Sequence, residues 1–280
     1  MSADHRTLAR LTARIARAPG RTALCMDFDG VLAPIVEDPA SAAMTEGLAP
    51  VLEDLAGALG ALALISGRPA AFLADRAASV YAAGGHLLGL YGLERWHDGA
   101  ARPHADAAVW HGVVAATSGR LARHFAAGRG ILVEDKGLGV AVHWRNAGTD
   151  AERAAAGVIV DAAVREEAEA TGLEVAPGKF VLELRPPVAW DKGDGVRTVA
   201  ADSGAELVVY AGDDIGDLPA FAAVRALGGT TIAIDHGTET DPRVLQAGDA
   251  ILAGPPAVAS WLGELRSAVR AGATGRAEVD

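Results

Sequence analysis

The sequence predicts an α/β fold: a Rossmann-like, doubly wound parallel sheet that carries an inserted α+β unit. Three observations lead there. Apolar, β-type runs at 24–26, 62–65, 87–90, 207–211 and 231–234 alternate with helix-like stretches at about 44–59, 69–80, 192–203 and 217–227. The runs lack strict alternation, as suits parallel strands covered on both faces. The middle of the chain switches to strand pairs separated by helices.

Taken in order, "MSADHRTLARLTARIARAPG" is Arg-rich and amphipathic, with no apolar core of a signal peptide. It reads as a short leading helix ended by Pro19-Gly20, and the cytoplasm is the expected compartment. The strand–helix rhythm then runs to "RWHDGAARPH", where Asp98-Gly99 is a hairpin signal. A helix-like run at about 106–126 leads to "ILVEDKGLGVAVHWR", two apolar strands around a glycine-containing turn. A helix at about 150–170 leads to "LEVAPGKFVLEL", two strands around a Pro-Gly turn. Residues 98–184 are therefore expected to form an α+β lid inserted into a core of 1–97 and 185–280. The tail "GATGRAEVD" is expected to fray.

Composition narrows the function. Hydrophobic residues make up 50%, ample for a packed core, and no apolar run approaches a membrane span. The net charge of -11 disfavours nucleic acid, whose phosphates need clustered Lys and Arg. The single cysteine, Cys25, excludes an intrachain disulfide and reads as a small buried hydrophobe.

In a parallel sheet, ligands bind at the C-terminal strand edge. Asp27 and Asp29 follow the first strand, Ser66-Gly67-Arg68 the second, and Asp213, Asp214 and Asp217 the strand at 207–211. Lys192 starts the helix before that last strand. Carboxylates gathered in one place repel unless they protonate or share a cation. Mg²⁺ suits them, because it takes oxygen ligands, few carboxylates and a substrate phosphate. Asp27 and Asp29 project to one side of an extended chain, and Gly30 lets the backbone turn. One acid then attacks a phosphoryl group while the other shuttles the proton. Ser66 and Lys192 are placed to bind phosphate oxygens.

"MDFDGVLAPIV", "ISGRP", "WDKG" and "GDDIGD" resemble the four signature segments of the haloacid dehalogenase (HAD) superfamily of phosphohydrolases. "GLYGLE", "VEDKGLGVAVHWR" and "GKFVLELRPP" are similar to the trehalose-6-phosphate phosphatase family within it. The resemblance implies a HAD-like core, Asp27 as nucleophile and metal ligand, and Asp29 as general acid and base with its carbonyl on Mg²⁺. It implies Ser66 and Lys192 on the phosphoryl group and Asp213 completing the metal site, with Asp214 beside it and Asp217 as a further candidate. It also implies Lys136, Glu183 and Arg145 on the sugar, joined by Glu94 and Arg68. The substrate would be trehalose 6-phosphate, with a functional link to a trehalose-phosphate synthase. Two positions depart from the family pattern: Tyr91 stands where a histidine is usual, and Gly216 and Leu218 replace a threonine and a glutamate. Other sugar phosphates such as sucrose 6-phosphate, a phosphomutase, or a non-catalytic sugar-phosphate regulator are the competing readings. No histidine shows metal-ligand spacing.

Overall fold

The computed structural model describes residues 3–36, 38–126 and 130–277. Contacts divide the chain into two compact units, Met1–Arg102 with Trp190–Asp280, and Pro103–Ala189. The larger unit opens with α1 (Ala3–Arg17), β1 (Thr22–Met26), α2 (Ala49–Ala58), β2 (Ala61–Ile65), α3 (Ala70–Arg76), α4 (Ala78–Ala82), β3 (His86–Gly89), β4 (Glu94–His97) and β5 (Ala100–Pro103). The smaller contains α5 (Ala105–Ala108), α6 (His111–His124), β6 (Leu132–Asp135), β7 (Val140–His143), α7 (Asp150–Thr171), β8 (Glu174–Gly178) and β9 (Val181–Arg185). The larger resumes with α8 (Lys192–Ser203), β10 (Leu207–Gly212), α9 (Leu218–Ala226), β11 (Thr230–Ile234), α10 (Pro242–Ala247), β12 (Ala250–Leu252) and α11 (Gly254–Ala277).

The larger unit is built on a sheet of order β12-β11-β10-β1-β2-β3-β4-β5. Strands from β12 through β3 are parallel, and β4 runs antiparallel to β3. Every residue of β1, β2 and β10 is buried. Successive side chains serve opposite faces. Leu24, Met26, Leu62 and Leu64 pack with α1, α2 and α11, whereas the smaller Ala23, Cys25 and Ala63 pack with α8 and α9. A fully buried leucine contributes about 1.5–3 kcal/mol, so the leucine-rich face supplies much of the driving force. The α8–α9 contact is close: a Cβ on Gly193 would stand 2.6 Å from the Pro219 carbonyl oxygen. Glycine there lets the N-terminus of α8 approach the sheet edge.

The smaller unit is an antiparallel sheet of order β6-β7-β9-β8. Val140, Val142, Leu182 and Leu184 pack with Val114 and Leu121 of α6 and Val160 and Val164 of α7. Glu183 alternates with these core residues and so belongs to the opposite face.

Several elements differ from the sequence expectation. The predicted helix at 44–59 starts at Ala49, because Gly47 takes φ +75 and Pro50 sits in the first helical turn. The stretch 69–80 divides at Ala77, and 106–126 divides at Val109 and Trp110. None of these breaking residues is Gly or Pro, so nothing in the local pattern marks them. Asp98 and Gly99 form the expected tight turn, both at positive φ. Pro177-Gly178 is not a turn: both residues lie in β8, paired with Leu182 and Val181, and the chain reverses at Lys179 and Phe180. An edge strand tolerates Pro177, whose missing N–H costs no ladder bond there. Residues 272–277 continue α11 instead of fraying, and 278–280 lie outside the described residues. The strand β12 and helices α10 and α11 are additional to the predicted set.

Candidate active site

Strand register brings the acids together. Met26 pairs with Ala211 on one side and Leu64 on the other, and the Asp27 N–H continues the ladder to the Ala211 carbonyl at 3.0 Å. Asp27, Ser66 and Asp213 therefore leave three adjacent strands at the same edge. Phe28 is fully buried and meets Phe72 edge-to-face at 5.8 Å. That anchor turns its neighbours Asp27 and Asp29 the other way. Gly30 has φ +74, and a Cβ there would lie 2.1 Å from Asp213 Oδ2. Only glycine fits both the turn and the close approach.

Lys192, buried and at the first position of α8, bridges two carboxylates. Its Nζ lies 2.7 Å from Asp27 Oδ2 and 2.6 Å from Asp217 Oδ1. Asp191 and Asp194 form a capping box that fixes this helix start. Burial works against the ammonium charge, but Asp217 and Asp27 outweigh it and hold the group well above its ordinary pKa. Asp217 is fully committed. Its Oδ1 also accepts from the buried Tyr210 hydroxyl at 2.7 Å, and its Oδ2 accepts from the Asp213 and Asp214 N–H groups at 2.8 and 3.0 Å.

Oxygens of Asp27, Asp213 and Asp217 lie within 4.8 Å of one another. Asp217 has no oxygen left for a cation, so it acts as the strut of the cluster. Asp27 accepts only one bond at each oxygen, from the Phe28 N–H and from Lys192, so it and Asp213 keep lone pairs for one. Burial, only partly offset by Lys192 and aggravated by Asp217, pushes the Asp27 carboxyl up to about 7. Burial and the neighbouring Asp27 and Asp217 push Asp213 up to about 9. At neutral pH this leaves Asp213 mostly protonated and Asp27 about half so, and a further positive charge would ionise both. The oxygen-only donor set fits a hard divalent cation. Asp27 and Asp213 would hold it, with the exposed Asp214 beside them. These three and Asp29, together with His236 and Asp241, line an open cleft of about 410 Å³.

Ser66 is buried at the end of β2, its Oγ accepting from the Arg68 N–H at 3.2 Å. The segment is tied to the turn after β3 by Tyr91 N–H to Ser66 carbonyl (2.8 Å) and Leu90 N–H to Arg68 carbonyl (2.9 Å). Leu90 and Tyr91 both have positive φ, and the Tyr91 ring packs on Gly67. The unusual Tyr91 thus supports the Ser66 loop. Arg68 stacks on Phe72 and grips Asp29 with two bonds, Nε to Oδ2 at 2.8 Å and Nη2 to Oδ1 at 2.9 Å. Glu94 is buried, with Oε2 accepting from the Ala70 N–H at the start of α3. Both side chains, expected on the sugar, are engaged within the larger unit.

In the smaller unit, Lys136 Nζ lies 3.3 Å from Glu183 Oε1, and Arg185 donates to Glu183 Oε2 at 2.6 Å. Arg145 lies over the Phe180 ring at 5.8 Å. Sequence reasoning named Lys136, Arg145 and Glu183 but missed Arg185, two residues after Glu183 and on the same strand face. It also missed Tyr210 and His236. Tyr210 sits inside an apolar run, where its hydroxyl gave the only signal.

The sequence matches the model of the trehalose-phosphatase family over residues 25–248. A trehalose-phosphate phosphatase from Mycolicibacterium paratuberculosis is 39% identical over 227 residues, covering 78% of this chain and 56% of that protein. The chain thus spans about half the length of that relative. Among solved structures, a trehalose-6-phosphate phosphatase related protein superposes with a TM-score of 0.68 at 22% identity, covering 91% of this chain and 99% of the other. The C-terminal domain of a Candida albicans trehalose-6-phosphate phosphatase does so with 0.66 at 21% identity, covering 92% and 96%. These structures share the α/β fold. By its sequence, this chain belongs to the trehalose-phosphatase family.

Proposed function

We propose that this protein hydrolyses trehalose 6-phosphate to trehalose and phosphate, with Mg²⁺ as cofactor and Asp27 as nucleophile. The observation that carries the reading is the meeting of Asp27, Lys192 and Asp213 at one strand edge in a chain of this family. An Asp27 oxygen attacks phosphorus as the bond from phosphorus to the sugar oxygen breaks. Asp29 gives its proton to the departing sugar oxygen. Asp29 then takes a proton from water, whose oxygen attacks the phosphorus of the aspartyl-phosphate and releases Asp27. Asp29 must leave the Arg68 fork on at least one oxygen to do this. Lys192 and Ser66 balance and orient the phosphoryl oxygens. Bound Mg²⁺ would neutralise the acids and polarise the phosphoryl group.

The smaller unit is the lid in this reading, and Lys136, Glu183 and Arg145 recognise the disaccharide hydroxyls. Polar groups left unpaired by a wrong sugar give selectivity. In this reading a trehalose-phosphate synthase, which forms the glycosidic bond on an already phosphorylated sugar, supplies the substrate. The test is phosphate release across a panel of trehalose 6-phosphate, sucrose 6-phosphate and hexose phosphates. Preference for trehalose 6-phosphate is expected. Faster release from another member would reassign the substrate, and binding without turnover would favour a regulator.

A further inference from the structure

We infer that His236 is a positioning residue of the cation site, acting through Asp213. The inference rests on the proposed cation site and adds a residue to it. His236 follows β11, the neighbour of β10, and lines the same cleft as Asp27 and Asp213. Its backbone is pinned: the His236 N–H donates to Thr240 Oγ1 at 2.7 Å, and the Gly237 N–H donates to Asp235 Oδ1 at 2.8 Å. Its ring is mostly buried, with 16% of the side chain exposed. Nε2 is shut off from solvent and makes no hydrogen bond. Its ionic neighbour is Asp213 Oδ2 at 3.4 Å, just beyond a good hydrogen bond.

A buried ring nitrogen without a partner is uncommon and asks for a reason. The nearest acceptor is Asp213 Oδ2, and a carboxylate that ligates a cation through one oxygen keeps the other for an Nε2–H donor. Closing the gap takes a few tenths of an ångström. The bond would fix which carboxylate oxygen faces the cation, and Gly30 leaves room for Oδ2 on the loop side. Groups that orient metal-ligating side chains in this way typically change metal affinity by about 10–100-fold.

The test is direct binding of Mn²⁺, read by electron paramagnetic resonance, to wild type, His236→Ala and His236→Gln, each checked for native circular dichroism. Glutamine keeps an N–H donor of similar reach. His236→Ala is expected to weaken Mn²⁺ binding about tenfold or more, with His236→Gln recovering most of it. Unchanged affinity in His236→Ala would overturn the inference. Equal loss in both variants would overturn it too, because the donor would then not be what matters. Absence of Mn²⁺ binding by wild type would instead refute the cation site itself.

Discussion

Lys192 and Asp27, 165 residues apart in the chain, meet at 2.7 Å in a buried ion pair. The same ammonium holds Asp217, so its removal would leave two buried acids without their counter-charge. Breaking such a pair from one side typically costs about 3–5 kcal/mol. Lys192→Ala is therefore expected to abolish turnover and to lower Tm in the cation-free protein. Asp27→Asn removes a charge that burial opposes and leaves Lys192 paired with Asp217, so it is expected to leave Tm unchanged or raised. Calorimetry of the two variants checks this; a Lys192→Ala protein as stable as wild type would contradict the bridging role.

The cation should couple to stability in a pH-dependent way. In the cation-free protein, Asp27 and Asp213 have folded-state values raised from 3.8 to about 7 and about 9. The folded chain then binds protons more tightly than the unfolded chain. Their contribution to stability is full below the unfolded value and is lost as pH rises through 7 and then 9. Mg²⁺ binds the ionised acids, so it should raise Tm more at about pH 8 than at about pH 5. Thermal melts with Mg²⁺ and with EDTA at both pH values test this. An equal or smaller shift at the higher pH would contradict it.

Sugar recognition is separable from chemistry. Glu183 forms an ion pair with Lys136 and accepts from Arg185 in the smaller unit. Glu183→Ala is expected to reduce kcat/KM for trehalose 6-phosphate by about tenfold or more, and to affect a small aryl phosphate much less. Steady-state kinetics on both substrates decide. Equal losses would remove Glu183 from sugar recognition.

The parallel strands and the acids at their ends were legible because continuous apolar runs and D-x-D-type turns are local signals. Side-chain partnerships across strands were not. Asp29 and Arg68 are 39 residues apart, and only the adjacency of β1 and β2 reveals that Arg68 grips the acid. Glu94 reads in sequence as a polar residue near the lid, yet it closes the start of α3, 24 residues earlier. Asp217 reads as one more acid in a turn; its four hydrogen bonds make it the strut. His236 has no metal-ligand spacing because it reaches Asp213 through neighbouring strands. Pro177-Gly178 misled for the opposite reason: a strong local turn signal gave way to the β8–β9 pairing.

The most direct measurement is phosphate release from trehalose 6-phosphate by wild type and Asp27→Asn, each in Mg²⁺ and in EDTA. The expected result is release by wild type in Mg²⁺ alone, with Asp27→Asn inactive though folded. Release by wild type that persists in EDTA, or Asp27→Asn activity within about tenfold of wild type, would contradict a cation-assisted attack by Asp27.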